Sequence, residues 1–374
     1  MNIFQHRDFY IPIPAFDSLL MKSIMQCEKL RYDTQGSTHP YIFDQIQKVF
    51  QLFESVRSAR IEGNHTTISE YVEANIFSQE KEGESINEIR NIQKAIDFIH
   101  SRHELPIHEH FVHELHSKVV ELLPSMHGED TTLREYRAHN VKIKGSQHIP
   151  PRYYDVGKYM NNLFEEIQKP TMPQYDFLKI ALAHHRFVWI HPYGNGNGRL
   201  ARLLTYKMMM NSFPRFFLLN PTSVFSQDRN RYYDMLARAD TYTEELLEWC
   251  EYVGNGIQKQ IDTMEFFLNA DILAQTILIP TIHDALSKKY ITDLQANILK
   301  IAVEKQVIQN SHIQHKFPQY SSSVISREIR KLLNSNMLIS EENKRKYVIC
   351  FQKNYLLRSL IDVLWDNNLI SDTR

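Results

Sequence analysis

Apolar side chains recur at three- and four-residue spacing along most of the chain. Between residues 41 and 60 the series is Ile42, Ile46, Val49, Phe50, Phe53 and Val56, one stripe along a helix. The same period predicts helices over 69–77, 86–100, 107–123 and 156–168. A strongly apolar helix is expected over 176–190, and another over 198–210, stopped near Pro214. One stretch breaks the period. In HNVKIKGSQHIPP, residues 139–151, Val141 and Ile143 alternate with Lys142 and Lys144 before a KGS turn, which predicts a short β-hairpin or flap.

Beyond about residue 255 the pattern changes. A linking helix leads into ITDLQANILKIAVEKQ, VIQNSHIQHKFP and SSSVISREIRKLLNSNMLISEENKRKYVICF. These read as three helices and a strand–turn–strand, an order that resembles a winged helix-turn-helix, with a last helix near 353–365. The fold class expected is mainly α, with a small β-hairpin flap and a C-terminal winged helix-turn-helix.

Composition narrows the function classes. Positive and negative side chains nearly cancel, at a net −1 over 374 residues, so binding to nucleic acid or an anionic membrane would need a local patch. Cys27, Cys250 and Cys350 are far apart and form no CxxC, as expected of reduced thiols in a cytoplasmic protein. No apolar run approaches the ~18–20 residues of a membrane span, and the first residues lack a secretory pattern. A soluble protein of two or three domains is expected.

The chemistry concentrates in HPYGNGNGRLAR, residues 191–202. The chain has 11 glycines, and Gly194, Gly196 and Gly198 crowd into this one stretch. Glycine lets backbone N–H groups converge on a point without a side chain in the way. The loop runs into a helix start, where free N–H groups and the dipole favour an anion. Arg199 and Arg202 share one helix face and can each fork onto phosphate. His191, at the end of the preceding helix, is a candidate general base. The loop is neither a Walker A nor a Rossmann loop, because GxxxxGK[ST] is absent and no strand precedes it.

This stretch resembles the Fic motif, HPFx[DE]GNGRxxR, with Tyr193 as the aromatic and Asn195 where Asp or Glu is usual. LREYRAHNVKIKGSQHIPP resembles the Fic flap, which holds the target segment, and RYYDMLARAD (231–240) resembles the segment lining the adenine pocket. The resemblance covers roughly 105–250 and implies a Fic-like helical core. The domains expected are an N-terminal helical region (1–104), a Fic core (105–254), a linking helix (255–285) and a winged-helix-like domain (286–374).

The resemblance implies transfer of AMP from ATP to a Ser, Thr or Tyr hydroxyl of a protein. His191 would be the base, and Gly194, Asn195, Gly196, Asn197 and Gly198 would surround the phosphates. Arg199 would clamp the β-phosphate and Arg202 the γ-phosphate, with Tyr232, Tyr233 and Asp240 toward the nucleoside. Val141, Lys142, Ile143 and Lys144 would be flap backbone. Mg²⁺ is implied with ATP, and Asn195 would offer it only a neutral oxygen. The protein target is undefined, and modification of the chain itself is expected.

SARIEGN, residues 58–64, matches the inhibitory pattern [ST]xxxE[GN] of Fic proteins through Ser58, Glu62 and Gly63. A helix ending at a glycine would look the same. Beside a Fic core it implies that Glu62 occupies Arg202 and so restrains the enzyme. His110, His113 and His116 stand three apart, but the stretch has no HExxH and no cysteine to complete a usual metal set, so they read as a polar helix face. Arg327, Arg330, Lys331 and Lys344–Lys346 leave contact of the winged helix with DNA or with protein open, including a homodimer. Two alternatives stand beside the transferase: a nucleotide-sensing regulator with little turnover, and an enzyme that removes AMP.

Overall fold

The computed structural model describes residues 11–32, 36–76, 83–123, 135–213, 221–240, 243–340 and 345–370. Helix follows helix: α1 (Leu19–Tyr32), α2 (Pro40–Ile61), α3 (Ile68–Ile76), α4 (Glu84–Ser101), α5 (Glu109–Val119), α6 (Val156–Gln168), α7 (Asp176–Ile190), α8 (Asn197–Ser212), α9 (Pro221–Ser226), α10 (Arg229–Ala239) and α11 (Thr243–Leu268). Then come α12 (Ala270–Leu273), a π turn (Ala274–Leu278), α13 (Ile279–Ser287), α14 (Asp293–Lys305), α15 (Asn310–Lys316) and α16 (Ser322–Asn334). Strands β1 (Leu338–Ser340) and β2 (Tyr347–Ile349) precede α17 (Tyr355–Asp366). The periodic segments appear within a few residues of their expected ends; residue 77, the last of one expected helix, lies outside the described residues.

The chain forms two compact units: described residues of 1–33, 53–66 and 82–261 make the first, and those of 34–52, 67–81 and 262–374 the second. At the centre of the first lies α7, with 13 of its 15 residues buried. Such burial demands partners for every polar group. Lys179 accordingly donates to the Ile167 carbonyl at 3.1 Å and also to that of Lys169, and the Trp249 indole N–H reaches the Ala181 carbonyl at 2.7 Å. The Arg186 guanidinium lies over the Trp189 ring at 4.3 Å. Helix α8 packs on α7 and is itself buried over most of its length.

In the second unit α14, α15 and α16 are followed by an antiparallel pair in which Leu338 faces Ile349 and Ser340 faces Tyr347. Helix α16 buries Ile325, Ile329 and Leu332 while Arg327, Arg330 and Lys331 face outward. Asn354 caps α17 by accepting from the Leu356 and Leu357 amides.

Two expectations are corrected. Residues 139–151 contain no strand: a ladder needs a facing partner, whereas here the His139 and Pro151 carbonyls are taken by the Arg137 side chain. The segment turns at Gly145 (φ 78°), with the Ser146 amide donating to the Ile143 carbonyl at 3.1 Å. The strand pair of the described residues is β1–β2 instead. The linking helix over 255–285 is also not continuous. Helix α11 ends at Leu268, and Asn269 starts a new helix by accepting from the Asp271 and Ile272 amides.

Candidate active site

Helix α2 ends in a Schellman turn. Gly63 takes the left-handed conformation (φ 105°), its amide donates to Arg60, and the Asn64 amide reaches back to Ala59. Glu62 is therefore the C-cap residue, directly after Ile61 and held at a rigid corner. The glycine of SARIEGN is explained by this backbone need.

Helix α7 ends at His191, which adopts φ 52° and ψ 61°. A left-handed conformation in a residue with a Cβ costs about 1–2 kcal/mol, so its surroundings must hold it. Arg137 does so: its Nε donates to the His191 carbonyl at 2.8 Å, and its amide donates to the Pro192 carbonyl at 2.9 Å. One arginine thus joins both ends of the expected flap to the glycine loop.

The loop is closed by Asn197, which accepts from the Tyr193 amide at 2.9 Å and donates to the Tyr193 carbonyl at 2.7 Å. Gly196 begins α8 at φ 81°, and a Cβ there would press on Val120 and Val119. His116 supports the loop from below: its ring stacks on Tyr193 with centroids 3.8 Å apart, and its Nε2 donates to the Asn195 carbonyl at 3.0 Å. His113 pairs with the Tyr193 hydroxyl at 2.8 Å. The reading of these histidines as a polar face is corrected for His116, which is buried.

The two arginines each hold a carboxylate. Arg202, 1 % exposed, donates to Glu62 Oε1 at 2.6 Å and to Ser58 Oγ at 2.9 Å. Arg199 donates to Glu88 Oε1 at 2.7 Å and to Asn195 Oδ1 at 2.8 Å. A Cβ at Gly198 would run into Glu62 Oε1, so the carboxylate lies against the first turn of α8. No side chain caps that turn, so an anion meets the positive end of the helix dipole there. Arg199 Nε and Arg202 Nη1 are buried donors with no hydrogen-bond partner among the described residues.

Charge follows this geometry. Burial would raise the Glu62 carboxyl, but Arg202 and Arg199 outweigh it and hold Glu62 below the usual carboxylate range. Burial pushes His191 down to about 4, opposed by the Val188 carbonyl, so its imidazole is neutral near pH 7. His116 is pushed to about 4, also by burial. Both return toward 6.5 on unfolding, so the unfolded chain takes up protons first as pH falls. Stability is then full above pH 6.5 and is lost between 6.5 and 4, by up to about 1.4 kcal/mol per pH unit for each imidazole. Urea midpoints should hold level from about pH 7.5 to 6.5 and then fall steadily toward pH 5. A level midpoint would mean that these rings do not stay neutral.

Tyr232 and Tyr233 lie close enough to the Arg202–Glu62 pair to interact with it electrostatically. Tyr232 is buried with its hydroxyl on His184 Nε2 at 2.9 Å, among Phe225 and Trp249. Tyr233 is 40 % exposed, with its hydroxyl at the limit of hydrogen-bond reach, 3.5 Å, from the Ile61 carbonyl. Asp240 is engaged by His185 at 2.9 Å and His148 at 3.4 Å, a bridge from α7 to the segment after Gly145. Arg137, Glu88, Asn64 and the packing role of His116 were missed. The arginine in REYRAHN was visible, but nothing local marked its partners.

Residues 106–209 match the model of the Fic/DOC family. A protein named "Protein adenylyltransferase Fic" from Nematostella vectensis is 28 % identical over 237 residues, covering 61 % of this chain and 50 % of that protein. Its namesake from Drosophila melanogaster is 26 % identical over 214 residues, covering 55 % and 40 %. The chain thus spans half or less of the length of these curated relatives. A Fic family protein from Desulfovibrio desulfuricans G20 has a similar fold, with a TM-score of 0.55 at 18 % identity, covering 91 % of this chain and 98 % of that one. A Fic domain containing signaling protein from Bacteroides thetaiotaomicron aligns over 66 % of this chain and 95 % of its own, with a TM-score of 0.51 at 18 % identity. Over residues 106–209 the chain is thus similar to the Fic/DOC family, and its fold resembles those of solved Fic proteins.

Proposed function

We propose that this protein transfers AMP from ATP to protein hydroxyl groups and is held off by its own Glu62. The observation that carries this reading is the 2.6 Å pair between Glu62 and Arg202, seated against the Gly198 turn. That corner is suited to a phosphate, and a tethered carboxylate fills it. The proteins named adenylyltransferases among the relatives support the same chemistry.

In the reaction, His191 takes the proton of the target hydroxyl as its oxygen attacks the α-phosphorus. A new P–O bond forms, the bond to the β-phosphate oxygen breaks, and pyrophosphate leaves. The loop amides, Arg199 and Arg202 stabilise charge on the departing phosphates. Neutral His191 is in the form this step requires. ATP labelled at the α- or the γ-phosphate tests the reading directly: label retained on protein only from the α position is expected, and retention from γ would overturn it.

Mg²⁺, when bound with ATP, would offset the charge of the phosphates. The loop oxygen available to it is Asn195 Oδ1, a neutral acceptor already used by Arg199. These donors fit a metal held chiefly by the nucleotide. Asn195→Asp should therefore lower the half-activating Mg²⁺ concentration by about tenfold, the scale on which changes near a metal act. Coinciding titrations of variant and parent would show position 195 to be silent.

The second unit supports a further part of the proposal. Three helices and two strands, with Arg327 and Arg330 exposed on α16, suit a winged helix that contacts DNA phosphate. Lys344 lies outside the described residues. Three buried, unpaired cysteines suit a reducing, cytoplasmic setting.

A further inference from the structure

We propose that Glu88 is a second inhibitory carboxylate, which holds Arg199 as Glu62 holds Arg202, and that Asn64 ties both holds to one turn. The inference rests on the function proposed above and adds to how that site is regulated. Glu88 comes from α4, outside the inhibitory sequence. Its Oε1 accepts from Arg199 Nη1 at 2.7 Å, and its Oε2 accepts from Asn64 Nδ2 at 2.9 Å. Asn64 Nδ2 also reaches the Ser85 carbonyl at 2.8 Å, at the start of the same helix.

Asn64 stands two residues after Glu62 in the Schellman turn, and its amide closes that turn on Ala59 at 3.2 Å. Its side-chain oxygen accepts from the Thr66 amide at 2.9 Å. The turn therefore has little freedom to move in parts. When Glu62 withdraws from Arg202, the shift is carried to Asn64 and loosens one of the contacts that hold Glu88 against Arg199.

Charge gives the second hold its effect. Arg199 and Arg202 are each paired with one carboxylate in this state, which offsets the charge of these two arginines. Withdrawal of Glu62 alone leaves one uncompensated positive charge, and release of Glu88 doubles it. A polyphosphate responds to each step. Asn195, lacking a charge, leaves Glu88 as the carboxylate paired with Arg199 in this structure.

Arg199 is read as the clamp of the β-phosphate, so the consequence should appear for ADP and not for AMP. Calorimetry of the full chain carrying Glu62→Gly, with and without Glu88→Gln, makes the comparison. ADP should bind about tenfold tighter with Glu88→Gln, within the ordinary range of coupling between sites, while AMP affinity stays the same. Asn64→Ala in the otherwise native chain should tighten ADP in the same direction but less. It also carries the test if Glu88→Gln fails to fold. Unchanged or weaker ADP binding, or equal tightening of AMP, would overturn the proposal. Binding is read without turnover. Tighter ADP binding with no AMP transfer would therefore reject the proposed reaction and leave this inference standing.

Discussion

Glu62→Gly should raise AMP transfer by about 10- to 100-fold, the span of ordinary coupling free energies. In the structure Arg202 is buried with Ser58 and Glu62, and the carboxylate occupies the space in front of Gly198. ATP must displace that carboxylate before Arg202 can meet a phosphate. Removing the carboxylate frees both the cation and the volume, and the productive state gains population. Ser58 still holds Arg202 at 2.9 Å, so the guanidinium keeps its orientation in the variant. Adding Arg202→Ala should abolish most of the gain, because the two changes act through one contact. Intact-mass spectrometry after incubation with ATP reads the adduct on the chain itself. An adduct no more abundant than on the parent would reduce residues 58–64 to a helix end.

His191→Ala, made in the activated background, should lower transfer by roughly 10²–10⁴-fold, the contribution of a positioned general base. ATP affinity should change little, since the buried donors of Arg199 and Arg202 and the first turn of α8 are left in place. The loss should fall on kcat. Burial keeps the imidazole neutral, and Arg137 fixes the backbone that carries it. Near-normal transfer by the variant would remove His191 from the mechanism, and an equal loss of ATP binding would make its role one of packing.

Much of this arrangement was legible before the fold was known. The helices over 156–168 and 176–190 appear with those same bounds, because a three- and four-residue apolar period leaves a helix one way to bury its stripe. The glycine loop was legible for a related reason: Gly196 needs a positive φ, and Gly198 admits a close carboxylate. The flap was misread as a hairpin. Alternation at Val141 and Ile143 encodes extended backbone, but whether a strand forms depends on a partner, and the carbonyls at its ends are bound by a side chain instead.

By itself, then, the sequence determined what depends on near neighbours: helix periods, the left-handed turn at Gly63, the anion-seeking loop and the spacing of its two arginines. Tertiary structure decided the pairings. Glu88 meets Arg199 across 111 residues, His116 meets Asn195 across 79, and Arg137 meets His191 across 54. A buried charge or donor must find its partner in space, and no local pattern records which distant element will supply it. The same rule divides the first hundred residues between two compact units, since helix α2 lends its first half to one and its second half to the other. Contiguity in the chain sets the helix, and burial of each half sets where it belongs.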